Sequence, residues 1–452
     1  MSTPPAESPT IVAIASPLGT GAVSLLRISG ADAFAIAARA TGGHISAATR
    51  PRTAMRCRIL DESGRTLDDG LMTLFPSPHS FTGEHCVEFT GHGGMLVTRE
   101  VLDRLLACGA VPAGPGEFTQ RAFLNGKLDL TQAEGVMDLI AAQTRLALRA
   151  ARGQLEGALG RRTTAARDHL LETLAHLEAW IDFPEEDIHP QVGAGFLLRV
   201  REVLATIDSL LATADQGRVL REGVRTVIFG PPNVGKSSLL NRLLGCDRAI
   251  VSELPGTTRD TIEETVNLHG IPLRLVDTAG VRPSTDAIET AGIQRTVRQL
   301  EAADLLLETA DASLPPPPPM PVPADPGVRL RVLNKCDLGE HPAWHGVAAI
   351  RTSCVTGEGF DALADAIREA LRFGDADWGE QSVAINARHQ ASLRVARQAL
   401  EAALAILDDP AGPPELAAID LREALDALGE IPGKVDTEDL LGVVFSRFCI
   451  GK

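Results

Sequence analysis

Gly230, Gly235, Lys236 and Ser237 stand at the spacing of a phosphate-binding loop, inside Val227-Ile-Phe-Gly-Pro-Pro-Asn-Val-Gly-Lys-Ser-Ser238. An apolar run leads into the glycines, and a helix expected over Leu239 to Leu244 leads out of them. In such a loop the backbone N–H groups and the helix N-terminus cradle phosphate oxygens, the lysine reaches the terminal phosphates, and the hydroxyl ligates Mg²⁺. Two further pieces select the nucleotide. Asp277-Thr-Ala-Gly280 follows a second apolar run, Leu273 to Val276, where a carboxylate can hold the magnesium shell and Gly280 can approach the last phosphate. Asn334-Lys-Cys-Asp337 follows a third, Leu330 to Leu333, and Asp337 can accept from both the N1–H and the 2-amino group of guanine. One glycine loop alone is often a tight turn. Three pieces in this order, each at a strand end, specify GTP.

The residue after Asp-Thr-Ala-Gly, where guanine-nucleotide switches often carry a water-orienting glutamine, is Val281. Valine has no hydrogen-bonding group, so either hydrolysis is slow or other residues supply the chemistry. Thr258, in the loop from Arg248 to Asp260, is the hydroxyl expected to close over Mg²⁺. Asn233 offers a side-chain carbonyl beside the β- and γ-phosphates. It is either a turn residue or a ligand for a monovalent cation placed where other systems use an arginine finger.

The elements that must position these groups fall into three expected parts. The chain has 452 residues, enough for about three domains. Residues 10 to about 122 alternate short β-rich runs (Ile11–Ala15, Val23–Ile28, Gly70–Phe75, Cys86–Phe89) with a helix near Leu96–Cys108, an α+β pattern. From Thr131 to Trp180 the pattern is helical, broken only by isolated glycines, which predicts long bundle helices. A further helix is expected from about Val192 to Leu220, and others over Arg388–Leu407, Pro414–Leu428 and Thr437–Phe445. Between them, alternating strands and helices predict a mostly parallel sheet. The domain limits that follow are 1–122 for the α+β domain, 123–221 and 374–452 for two parts of one helical domain, and 222–373 for an inserted Ras-like P-loop domain. Pro315–Pro319 reads as an exposed polyproline II loop.

Composition narrows the class further. The net charge of −16 argues against a general polyanion binder and leaves any RNA contact to a local basic patch. The arginines at 149, 152, 161, 162 and 167 are candidates for one, with a solvated helix face as the alternative. Seven cysteines without a CxxC pair point to neither a disulfide framework nor a zinc site. No leader is evident and no apolar run reaches the ~18 residues of a membrane span, so a reduced, cytoplasmic protein without membrane contact is expected. Only five of the 43 basic residues are lysine: Lys127, Lys236, Lys335, Lys434 and Lys452. Two lie in the nucleotide motifs, which draws attention to the other three.

Along nearly its whole length the chain resembles the tRNA-modification GTPases called MnmE or TrmE. The resemblance rests on residues 115–130 (Pro-Gly-Glu-Phe-Thr-Gln-Arg-Ala-Phe-Leu-Asn-Gly-Lys-Leu-Asp-Leu), 181–188 (Ile-Asp-Phe-Pro-Glu-Glu-Asp-Ile), 256–260 (Gly-Thr-Thr-Arg-Asp), 386–389 (Asn-Ala-Arg-His) and the terminal Phe-Cys-Ile-Gly-Lys, 448–452. It implies a homodimer formed through N-terminal domains that bind 5-formyltetrahydrofolate. It also implies a flavoprotein partner, MnmG or GidA, with which an aminomethyl-type group is placed on carbon 5 of the wobble uridine of certain tRNAs. Carried over by motif, the folate ligands are Arg27, Glu84, Lys127 and Lys452. Potassium is held by Asn233, Ser252, Leu254 and Thr257, and water is oriented by Glu289. The full nucleotide set becomes Asn233, Val234, Gly235, Lys236, Ser237, Ser238, Ser252, Glu253, Leu254, Pro255, Gly256, Thr257, Thr258, Asp277, Thr278, Ala279, Gly280, Asn334, Lys335, Asp337, Ser353 and Cys354, with Ser237 and Thr258 on Mg²⁺. Cys449 is either a buried packing residue or a thiol assisting one-carbon transfer.

The chain departs from the family at the proline-rich insertion, at the polar strand end Glu308-Thr-Ala-Asp311, and at Ser353-Cys-Val355 where Ser-Ala-Arg is usual. A rival class, a regulatory GTPase of RNA or ribosome assembly without modification chemistry, shares every nucleotide motif. It has no need of a folate site or a reactive terminal cysteine.

Overall fold

Alternation of buried and open residues along four of the first six strands leaves one sheet face apolar, and two amphipathic helices cover it. This computed structural model describes residues 8–182, 191–246, 263–276, 299–319, 327–371, 383–409, 412–433, 444–445, 448 and 451. The chain divides into two compact units, one made of residues 1–137 with 429–452 and the other of 138–428.

In the first unit, β1 (Ile11–Ile14), β2 (Val23–Ser29), β3 (Met55–Leu60), β4 (Thr66–Phe75), β5 (Cys86–His92) and β6 (Val111–Pro112) form one sheet in the order β3-β4-β5-β2-β1-β6. All pairs are antiparallel except β1 with β6. Leu26, Ile28, Met72, Leu74, Val87 and Phe89 project from it against α1 (Ala33–Ala40) and α2 (Met95–Ala107), in a core that includes Ile36, Val101 and Leu105. The predicted strands and helix stand within a few residues of these limits. After α3 (Glu117–Leu124), the C-terminal segment returns to this unit. Phe445 and Phe448 pack with Phe123, Leu130 and Ala133.

The stretch from Thr131 to Trp180 is not one interrupted rod. It makes α4 (Leu130–Ala141), α5 (Arg145–Leu155) and α6 (Ala158–Asp182). The first break carries no glycine: the Thr144 hydroxyl accepts from the Ala147 N–H at 3.2 Å and so restarts the chain as an N-cap. The five arginines accordingly divide between α5 and α6. The next predicted helix is also two, α7 (Gln191–Leu211) and α8 (Ala214–Glu222).

The second sheet holds β7 (Val224–Phe229), β8 (Glu263–Leu268), β9 (Ile271–Val276), β10 (Leu305–Asp311), β11 (Val328–Asn334) and β12 (Ile350–Arg351), ordered β12-β11-β10-β7-β9-β8. Every pair is parallel except β8 with β9. The near-continuous apolar runs of β7, β9 and the start of β10 fit a sheet buried on both faces. Flanking helices include α9 (Lys236–Cys246) and α10 (Phe360–Ala370), whose Leu239, Leu243, Leu363 and Ile367 enter the core. Pro315–Pro319, between β10 and β11, has no regular structure and is mostly exposed.

Beyond the sheet come α11 (Ala387–Leu407) and α12 (Pro414–Glu430). The α11 helix packs on α7, with ion pairs Arg201–Asp408 at 2.9 Å and Arg397–Asp208 at 2.7 Å. Helices before and after the sheet therefore belong to one bundle, and the parallel sheet interrupts it. The segment Asn386-Ala-Arg-His389 is a capping box: Asn386 Oδ1 accepts from the His389 N–H at 2.9 Å, and His389 Nδ1 accepts from the Asn386 N–H at 3.2 Å. Such a cap contributes about 0.5–2 kcal/mol. The expected helix Thr437–Phe445 falls largely outside the described residues.

Candidate functional site

In a parallel sheet all strands end at one edge, and ligands bind there. The loop after β7 runs directly into α9, whose first helical residue is Lys236. The orphan N–H groups of that first turn and the exposed Ser237 therefore face the same edge. The Lys236 ammonium turns back on the loop, donating to the carbonyls of Gly230 at 3.0 Å and Pro231 at 2.6 Å. Burial pushes its pKa below the ordinary lysine value, the response of a cation partly withdrawn from water. Asn233 adopts φ +67, a left-handed conformation rare outside glycine, and is exposed at the loop's tip.

The guanine-side motif reaches the loop by direct bonds. The register of β10 and β11 sets Asp311 opposite Asn334. Asn334, buried at 2% exposure, donates from Nδ2 to the Val234 carbonyl at 3.0 Å and accepts at Oδ1 from the Cys354 N–H at 3.2 Å. Its amide is thus spent on tying three loops together. Gly235 lies under it at φ +92, and a Cβ there would come within 2.3 Å of that Nδ2. Lys335, also left-handed at φ +64, donates from Nζ to the Asn233 carbonyl at 2.8 Å and to Asp311 Oδ2 at 2.7 Å. Burial pushes the Asp311 carboxyl up, but bonds from Lys335 and from the Ser313 hydroxyl and N–H outweigh it, and the net pKa falls.

Asp337 stands exposed in the short 3-10 turn Cys336–Leu338. Ser353 is fully buried, its hydroxyl accepting from the Thr356 N–H at 3.1 Å, which shapes the adjoining loop. Ser252, Glu253, Leu254, Pro255, Gly256, Thr257, Thr258, Asp277, Thr278, Ala279, Gly280, Val281 and Glu289 lie outside the described residues. Asp311 is the residue that motif reading passes over. Its signal is the polar strand end that stands out against the family pattern.

In the first unit, Arg27, Glu84 and Lys127 gather around the loop 77–85. Glu84 accepts at Oε2 from the Ser29 hydroxyl at 2.7 Å and from Arg121 Nη1 at 3.1 Å. Arg121, itself 7% exposed, also donates to Glu117 at 2.7 Å and to the Pro9 carbonyl at 2.8 Å. It is a second residue unassigned from the sequence, inside the family-specific block 115–130. Arg27 pairs with Glu88 at 2.8 Å, and its guanidinium carbon sits 5.2 Å from the centroid of Phe81 and 5.8 Å from that of Phe118. Lys127 Nζ donates to the Pro78 carbonyl at 3.2 Å. Cys449 and Lys452 lie outside the described residues, but Gly451 is buried against β1. At φ +101, a Cβ on it would come within 2.4 Å of the Ile14 carbonyl oxygen. Ile14 pairs with Leu26 and Ala13 with Arg27, so Gly451 lies against the strand next to the one that carries Arg27.

A phosphate loop at the carboxyl edge of a mostly parallel sheet, braced to an Asn-Lys-x-Asp turn and set within a helical bundle, defines a P-loop GTPase of multidomain build. Residues 130–449 match the family model for the MnmE helical domain, and residues 10–127 match that for the GTP-binding protein TrmE N-terminus. A protein from Akkermansia muciniphila named tRNA modification GTPase MnmE is 53% identical over 444 residues, covering 98% of this chain and 99% of that one. One of the same name from Chloroflexus aurantiacus is 46% identical over 460 residues, with 98% and 99% covered. The chain belongs to the MnmE family of tRNA modification GTPases. Among solved structures it resembles that of an Aquifex aeolicus Era variant bound to GDP and AlF4⁻, at 26% identity and a TM-score of 0.27. That match covers 39% of this chain and 66% of the other, a likeness too loose to carry an argument. Among the described residues no helix is long and apolar enough to cross a membrane.

Proposed function

We propose that this protein hydrolyses GTP in the service of tRNA modification. With a flavoprotein partner of the MnmG type, it adds an aminomethyl-type group to carbon 5 of a wobble uridine, using a one-carbon unit from 5-formyltetrahydrofolate. The observation that carries the reading is the coexistence of two built sites in one chain: the braced phosphate loop, and the Arg27, Glu84 and Lys127 cluster around the loop 77–85. A purely regulatory GTPase has no use for the second.

At the first site Lys236 and the α9 N-terminus bind the phosphates, and Asp337 reads the guanine edge. The donor set fits two cations: the Ser237 hydroxyl with Thr258 suits Mg²⁺, and Asn233 with Ser252, Leu254 and Thr257 suits K⁺. Bound there, these ions would neutralise charge that develops between the β- and γ-phosphates. Glu289 orients the attacking water, which leaves Val281 without a catalytic duty. At the second site Glu84 accepts from the pterin's amino and ring N–H donors, while basic residues take the glutamyl carboxylate. Lys452 joins them from the chain end. Cys449 assists the one-carbon transfer as a thiolate favoured by a nearby ammonium. The molecule acts as a homodimer joined through its N-terminal domains.

Hydrolysis is expected to run much faster in potassium than in sodium, with Asn233→Ala removing the difference while nucleotide binding persists. Equal rates in the two salts would remove potassium from the scheme. Mass spectrometry of nucleosides from a deletion strain tests the rest, since unchanged wobble uridines would leave only the GTPase.

A further inference from the structure

Beside Lys127 the first unit has a pocket lined by Arg52, His79 and Lys127, with Phe75 and Phe81 forming apolar walls. None of the residues that line it is acidic. On a chain of net charge −16, a pocket with two fixed cations and no carboxylate runs against the background. The loop that carries its third basic residue, His79, is tied to Arg52, whose Nη2 donates to the His79 carbonyl at 2.8 Å.

Arg52 is also conformationally unusual. It adopts φ +53 and is fixed there by its own N–H, which donates to the Leu74 carbonyl at 2.9 Å. Among the described residues three other non-glycine residues have positive φ, and two of them, Asn233 and Lys335, belong to the nucleotide site. Strain of this kind persists where the surroundings over-determine it, and it gathers at ligand sites. Phe81 connects the pocket to the rest of the cluster, because the Arg27 guanidinium sits on the same ring at 5.2 Å.

We propose that this pocket receives the additional carboxylates of an oligoglutamyl folate. The inference rests on the folate reading above. If Glu84 takes the pterin end and Lys127 the first glutamyl carboxylate, the chain of a longer tail continues towards Arg52 and His79. Each added γ-linked glutamate brings one more carboxylate, and an arginine presents a planar fork that fits one. The pocket is local and walled by aromatic rings, which suits a flexible anionic tail better than the extended backbone of an RNA.

The test is calorimetry on the full-length protein with monoglutamyl and triglutamyl 5-formyltetrahydrofolate, at low and high salt. Exposed charge pairs are modest, so the triglutamyl form is expected to bind roughly three- to tenfold tighter, less so in high salt. Arg52→Asn removes the charge while keeping a residue type that tolerates left-handed backbone. It should bring the ratio to about one with monoglutamate affinity unchanged, and Arg52→Lys should restore part of the ratio. Equal wild-type affinity for the two forms would overturn the inference and leave the folate reading standing, whereas binding of neither would overturn both. A ratio untouched in Arg52→Asn together with weakened tRNA binding would give Arg52 to RNA instead.

Discussion

In the guanine-side motif, Asp337 alone of the three named residues leaves its side chain free for a base. Asn334 and Lys335 spend their side chains on Val234, Cys354, Asn233 and Asp311, whereas Asp337 stands exposed at the turn. On the reading proposed above, selectivity for guanine therefore falls on this one carboxylate, which would accept from two N–H donors. Asp337→Asn turns a donor towards those donors and should weaken GTP binding roughly ten- to hundredfold while improving the binding of xanthosine triphosphate. A fluorescent-nucleotide titration checks it, and unchanged GTP affinity would contradict the assignment. Asp311 yields a pH prediction. Its folded pKa is lowered, so its stabilising contribution is present in full above the ordinary carboxylate value of about 3.9 and is lost as pH falls through the lowered folded value. Asp311→Asn should accordingly melt at a lower temperature than the wild type at neutral pH, with the gap closing only in strong acid. A gap that stays constant with pH would mean that the Lys335 pairing does not couple to folding.

At the scale of elements, the terminal segment matters most. Phe445 and Phe448 seat it against Phe123 and Leu130, and Gly451 lies against Ile14 of β1, the strand next to the one that carries Arg27. A side chain at Gly451 collides with the Ile14 carbonyl and sits at a φ that L-residues resist. On the function proposed above, Gly451→Ala should thus impair wobble-uridine modification while GTP hydrolysis continues. Full modification in that variant, read by mass spectrometry of digested tRNA, would show that the tail needs no fixed seat. Elements also show where pattern reading falls short. The break before α5 rests on the Thr144 hydroxyl, a local hydrogen bond that competes with helix continuation. Hydrophobic periodicity carries no trace of it, because residues on both sides keep the same helical spacing.

For the whole molecule, two compact units hold the two candidate residue sets separately: Arg27, Glu84 and Lys127 in one, Lys236, Asn334 and Asp337 in the other. Lys127→Ala should lower 5-formyltetrahydrofolate affinity in calorimetry and leave GTP turnover intact. Loss of both together would make Lys127 a structural residue. The amino-acid sequence by itself determined the nucleotide, the strands that end in its three motifs and the helices on either side of them. These follow from short-range spacing, where backbone geometry ties residue type to position. Tertiary structure alone decided which residues brace those motifs. Asp311 and Lys335 meet because β10 and β11 run parallel in one register, and Arg121 meets Glu84 because α3 folds back on the loop 77–85. Such contacts join residues far apart in the chain, and their partners are set by packing that no local pattern encodes.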